Sequence, residues 1–103
     1  TQMIDFDLII GFDWDVGNRR KNESKHSVTI VEAEEVFFNN PLLISVDAKH
    51  SETERRYLAL GKTNQGRQLT VIFTLRQINT LIRVISVRDQ HRKERNLYDQ
   101  TKQ

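Results

Sequence analysis

Few architectures are open to a chain that contains Leu81-Ile82-Arg83-Val84-Ile85-Ser86-Val87-Arg88. The aliphatic and β-branched residues follow one another almost without a polar gap, which is how a strand buried on both faces reads. Two arginines interrupt it. Successive side chains point to opposite faces, so Leu81, Arg83, Ile85 and Val87 share one side and Ile82, Val84, Ser86 and Arg88 the other. A guanidinium keeps its charge at any working pH, so inside a sheet it has to meet an anion or reach water. Either each arginine is answered by one of the chain's own carboxylates, the commoner arrangement for one arginine alone, or Arg83 is aimed at a concave anion-binding surface and Arg88 leaves the strand end for the same rim.

The 103 residues suit one compact domain, taken as 3–103, with Thr1 and Gln2 outside it. A domain of this size buries somewhat over ~60% of its unfolded surface, enough for a modest core without staples. There is no cysteine, so disulfides and thiolate chemistry do not enter, and a reducing cytoplasm is the expected setting. The apolar run Leu8-Ile9-Ile10 is too short for a signal peptide or a membrane span. Charge is unevenly spread. Residues 1–54 carry eleven acids and five bases, a net of −6, while residues 55–103 carry three acids and eleven bases, a net of +8. The acidic half can meet a basic partner and the basic half a polyanion.

Along the chain, residues 4–12 alternate apolar positions with acids and predict an edge strand. Asp15 can cap a helix over 17–25 that is polar all round, so a core would hold it only weakly. Thr29 and Glu32 form a capping box opening a second helix to about Phe38. Leu42–Val46 predicts a short strand and 47–54 a polar loop. Three strands follow, 55–62, 68–75 and 81–88, joined by the turns Thr63-Asn64-Gln65-Gly66 and Arg76-Gln77-Ile78-Asn79 into an antiparallel meander. Asp89 is expected to cap a last helix from about Gln90 to Thr101. The order β-α-α-β-β-β-β-α means an α+β fold, with helices on one face of an antiparallel sheet and the other face partly open to arginines.

His26, His50 and His91 are far apart and no paired metal-ligand motif surrounds them, so no metal site or cofactor is expected. Nor is there a glycine-rich phosphate loop or a nucleophile elbow. Lys25-His26 would end the polar helix, His50 precedes Glu52, and Arg83, Arg88, Arg92, Lys93 and Arg95 gather around the end of the interior strand. Taken singly, each is most simply a solvated charge or a surface ion pair worth ~0–1 kcal/mol. Taken together, they are what RNA cleavage without a metal requires: cations around the scissile phosphate, a base for the 2′-hydroxyl and an acid for the leaving oxygen.

Phe12-Asp13-Trp14-Asp15, Asn22, Lys25-His26, Glu32-Ala33, Val36-Phe37, Asp47, His50-Ser51-Glu52, Glu54-Arg55-Arg56, Gly61, Gly66-Arg67, the strand Arg83–Arg88, Glu94-Arg95 and Tyr98 occur in an order and at spacings that resemble the BrnT family of toxins from bacterial type II toxin–antitoxin pairs. The resemblance runs from about Phe12 to Tyr98. It implies a RelE-like fold and a metal-independent endoribonuclease. It also implies a BrnA-like ribbon-helix-helix antitoxin, usually two copies of each chain in the complex, that represses its own operon by binding operator DNA.

On that reading Lys25, His26, His50, Arg56, Arg83 and Arg88 are the candidate catalytic residues, with Arg56, Arg83 and Arg88 as a phosphate clamp. Lys25 with His26, or His50 with Glu52, supplies the acid and base. Arg55, Arg67, Arg92, Lys93 and Arg95 are candidate RNA contacts. Trp14 is first a packing residue and second a base-stacking one. The sequence departs from the family at Asn18 (usually Lys), Asp13 (commonly Glu), Ser27 (usually Gly) and Val87 (usually Ala). Asn18 in particular favours an alternative, a catalytically degenerate module that only binds its antitoxin.

Overall fold

The computed structural model describes residues 4–15, 17, 26–50 and 53–101, position 50 by its backbone alone. The elements in chain order are β1 (Gly11–Asp13), α1 (Ile30–Glu35), β2 (Leu43–Val46), β3 (Tyr57–Lys62), β4 (Gln68–Arg76), β5 (Leu81–Asp89) and α2 (Arg92–Thr101). The polar helix expected over 17–25 falls outside the described residues except at Gly17. Two α-helices, α1 and α2, are therefore present among the described residues. None of these helices is long and apolar enough to cross a membrane.

The strands form one sheet in the order β1-β5-β4-β3-β2. The meander β3-β4-β5 is antiparallel as expected, and β2 adds to it antiparallel. β1, however, runs parallel to β5, which makes the sheet mixed rather than antiparallel throughout. No hairpin joins these two strands, so turn geometry does not dictate their direction. The strand expected over 4–12 also shrinks to three residues. Asp5 accepts a hydrogen bond from the Asp7 N–H at 3.0 Å and caps a single 3-10 turn, Phe6–Leu8, which uses up the first half of the alternation.

The Thr29–Glu32 capping box forms as expected, the Glu32 N–H donating to Thr29 Oγ1 at 3.1 Å and the Thr29 N–H to Glu32 Oε1 at 3.0 Å. The helix then tightens into a 3-10 turn over Val36–Phe38. Ala33, Val36, Val71, Phe73, Ile82 and Val84 form the centre of the core between this segment and one face of the sheet. Gly61 of β3 permits the close approach. A Cβ there would stand 2.5 Å from Val36 Cγ1.

One irregularity matters for function. β4 and β5 shift register between Ile72 and Phe73, so that Ile72 pairs with Ser86 but Phe73 with Val84, leaving Ile85 as an extra residue. A bulge of this kind reverses the face presented by every later residue. Ile82, Val84 and Val87 accordingly all enter the core, and Arg83 and Arg88, five apart, share the opposite face instead of dividing between the two.

α2 lies on that second face at one end of the sheet. Glu94 accepts from Thr70 Oγ1 at 2.9 Å, and the buried Tyr98 donates its hydroxyl proton to the Pro41 carbonyl at 2.6 Å. Asp89 does not cap α2. It closes β5 and binds Arg67, and the helix start is held instead by Glu94, which accepts the His91 N–H at 2.8 Å.

Candidate active site

Where β5 ends and α2 begins, an open depression of about 570 Å³ is lined by His26, Ser27, Arg88, Asp89, Gln90, His91, Arg92 and Arg95. Strand, turn and helix bring these together because six of the eight lie within residues 88–95. The segment at His26–Ser27 comes from far away in the chain and is tied in by Arg67. The Arg67 Nη1 donates to the Ser27 carbonyl at 2.9 Å and Nη2 to the His26 carbonyl at 3.2 Å. The same guanidinium binds Asp89 through Nε at 2.7 Å and Nη2 at 3.0 Å, and Glu32 through Nη1 at 3.2 Å.

The charge inventory favours an anion. Asp89 is answered by Arg67, whose hydrogen bonds hold its carboxyl below the usual range despite the opposing effect of burial, with help from the charges of His26 and Arg95. Glu94 is answered by Arg88, Nη1 to Oε1 at 2.7 Å and Nη2 to Oε2 at 3.1 Å. Burial would raise the Glu94 pKa, but the hydrogen bonds from Arg88, the His91 N–H and Thr70 outweigh it and bring it down to about 2. Glu94 is therefore ionised at any working pH and serves as an anchor, not as a proton carrier. Arg92 and Arg95 are the exposed cations of the cleft, Arg95 steadied by donation from Nη1 to the Gln90 carbonyl at 2.7 Å.

Of the residues singled out in the sequence, His26, Arg88, Arg92 and Arg95 meet here. Arg83 does not join them. It sits five residues back along β5, ~15 Å by strand rise, and its fork spans Asp13 at 3.1 Å and Asp15 at 3.2 Å. Arg56, just ahead of β3, falls in register across β4 from Arg83, on either side of Thr74. Arg55 is exposed beside it. The three arginines of the expected clamp thus occupy two positions on one face, too far apart to hold a single phosphate.

Arg67 lies behind the cleft wall, and Lys93 is exposed on α2 outside the lining. Trp14 is half-buried against the core and donates its indole N–H to Glu34 Oε2 at 2.9 Å, in keeping with packing. Lys25 and Asn18 lie outside the described residues, as does the side chain of His50. His91 is the cleft residue that sequence reasoning left out. Its one signal was position, directly after the strand-end arginine and ahead of the final helix. Among the described residues, no group of three or more His, Asp or Glu side chains is placed to hold a metal ion.

The fold and site define a small α+β domain whose strand-end cleft is lined by arginine and histidine and is chemically suited to an anion, and comparison narrows the class. Residues 14–94 match the family described as the ribonuclease toxin, BrnT, of type II toxin–antitoxin systems. The chain belongs to the BrnT family of type II toxins. The crystal structure of the Brucella abortus ribonuclease toxin BrnT is similar in fold, with a TM-score of 0.57 and 23% identity over 81% of this chain and 99% of that one. No curated protein matches the chain.

Proposed function

We propose that this chain is a metal-independent endoribonuclease of the cytoplasm whose reaction centre is the cleft at the β5–α2 junction. The observation that carries the reading is the meeting of two histidines, His26 and His91, with Arg88, Arg92 and Arg95 in one open depression. In the proposed reaction the ribose 2′-oxygen attacks phosphorus in line. The P–O5′ bond breaks and a 2′,3′-cyclic phosphate forms. One imidazole takes the 2′-hydroxyl proton and the other protonates the leaving 5′-oxygen, the general base and general acid that the step requires. Arg92 and Arg95 offset the charge that accumulates on the phosphate oxygens, and Arg88, its fork engaged by Glu94, contributes field rather than hydrogen bonds. In this reading Arg83 and Arg56, on the same face, add positive field farther along the RNA backbone.

In the same reading the chain is neutralised by a BrnA-like ribbon-helix-helix antitoxin, two copies of each forming the complex that represses the operon. Family membership supports the pairing. The test of the catalytic part is incubation of purified protein with RNA in EDTA, followed by analysis of the ends. Cyclic phosphate termini that vanish in His91→Gln and in His26→Gln are expected. A specific observation favours a second reading, a non-catalytic antitoxin-binding module: both strand arginines already hold internal carboxylates. RNA left intact at high protein concentration would establish it.

A further inference from the structure

Away from the basic cleft, a groove of about 340 Å³ opens beside β1, with Phe6, Ile10, Phe12, Phe37, Phe38 and Ile82 in its lining. Its aromatic rings pack in a chain, Phe6 to Phe37 at 6.5 Å, Phe37 to Phe12 at 5.7 Å and Phe12 to Phe38 at 6.2 Å. The chain does not close over itself. Ile10 is 81% exposed and Phe38 76%. A contiguous apolar patch of this kind on a small domain marks a surface that something covers.

The surrounding charge says what kind of partner fits. The groove is built almost wholly from residues 4–12 and 37–38. The stretches 4–15 and 26–48 that contain them hold eight Asp or Glu and no Lys or Arg. Asp13 and Asp15 are answered by Arg83, and among the described residues no basic side chain pairs with Asp5 or Asp7, which flank Phe6. β1 is moreover an edge strand, and among the described residues no further strand of the sheet lies beyond it.

We infer that this groove is the docking site for an amphipathic segment of the antitoxin, one with large apolar side chains on one side and Lys or Arg on the other. The inference rests on the family's pairing with an antitoxin and not on RNA cleavage. Apolar residues of the segment enter between Ile10 and Phe38, and its cations meet the acidic rim. Ile82, at the groove, and Asp89, at the cleft, stand seven residues apart on β5, ~20 Å by strand rise. Groove and cleft are therefore separable by mutation.

The experiment titrates the polypeptide encoded by the reading frame next to this chain's own gene against wild type, Ile10→Lys, Phe38→Lys and Asp7→Lys, with RNA cleavage and thermal melting followed on each. Loss of a central apolar anchor should raise Kd by about 30-fold or more, as hot-spot losses do, and Asp7→Lys by several-fold. Melting should stay cooperative and cleavage without the partner unchanged. Binding of Ile10→Lys and Phe38→Lys within about threefold of wild type overturns the inference. So does failure of wild type to bind, or a wild-type homodimer that either substitution dissolves, since a second copy would then be the occupant. RNA left intact by every variant counts against the nuclease reading alone, because the Kd comparison stands without it.

Discussion

Arg67 and Asp89 meet as a bidentate pair, Nε to Oδ1 at 2.7 Å and Nη2 to Oδ2 at 3.0 Å, and the same guanidinium grips the His26 and Ser27 carbonyls. Arg67 is thus the piece that fastens the His26 segment to the strand end. Arg67→Gln would leave Asp89 and Glu32 without their counter-ion and free the segment. The expected loss is ~2–3 kcal/mol in urea melts. Cleavage should fall by more than the folded fraction does, because the His26 segment is no longer held at the cleft. Arg67→Lys keeps the charge but cannot span four acceptors, so it should recover stability better than cleavage.

Ser27 adopts φ 55, in the left-handed region where a Cβ is costly. Glycine, which has no Cβ, would meet this backbone requirement without that cost. Ser27→Gly should raise stability by ~1 kcal/mol, seen as a higher urea midpoint at constant slope. Ile78, also at φ 55 and 93% exposed in the β4–β5 turn, is the control. Ile78→Gly should gain a similar amount while leaving RNA cleavage untouched, because it is remote from the cleft.

Glu94 gives the acid limb of stability. Its folded pKa of about 2 lies below the ordinary 4.5, so its contribution is fully present above about pH 4.5 and is lost as pH falls toward 2. Glu32 and Asp89, both lowered, add to the loss in the same direction. The Glu94 share is ~1–3 kcal/mol after allowance for solvent screening. Chemical denaturation between pH 6 and pH 2 should show a shallower decline in Glu94→Gln than in wild type. Parallel curves would mean that Glu94 is not the group responsible.

Much of this architecture can be read in the residues themselves. The Thr29–Glu32 box, the Thr63–Gly66 turn and the β3-β4-β5 meander depend on contacts local in sequence, and all three are present. What depended on pairing between distant segments was not legible. The direction of β1 against β5 is fixed by no turn, and the Ile85 bulge leaves no signature in an otherwise uniform aliphatic run. Strict alternation therefore placed Arg83 and Arg88 on opposite faces. Asp89 looked like a helix cap because it precedes a helical stretch, but only the folded chain brings Arg67 to it. His91 was passed over because it lacked metal-ligand neighbours in sequence, while its place in the cleft comes from the His26 segment arriving from elsewhere.

Arg92 and Arg95 are exposed, and among the described residues neither forms an ion pair with a carboxylate. Arg92→Ala and Arg95→Ala should therefore leave the melting midpoint within ~0.5 kcal/mol of wild type. If each contacts one phosphate, the slope of log K for single-stranded RNA against log salt should shrink by ~0.7 per substitution. Arg83→Ala is the contrasting case. It leaves Asp13 and Asp15 facing each other without their shared cation, so it should cost stability as well as cleavage. Filter binding across a salt series distinguishes the two patterns.

Gly61 is the tightest point of the core and the clearest steric test of the packing. A Cβ at this position would lie 2.5 Å from Val36 Cγ1, 3.2 Å from the Val36 carbonyl oxygen and 3.4 Å from Leu42 Cδ1. The first contact is beyond what a side chain tolerates, and Val36 is fully buried in the core cluster, so it cannot give way without disturbing its neighbours there. Gly61→Ala should cost ~1–3 kcal/mol through overpacking. Val36→Ala removes the obstructing methyl groups at the expense of a small cavity. The double variant Gly61→Ala, Val36→Ala should accordingly be more stable than the sum of the two single losses predicts, with a coupling of ~1 kcal/mol in denaturation midpoints. Strict additivity would show that the 3-10 turn does not press on β3 as closely as the structure has it.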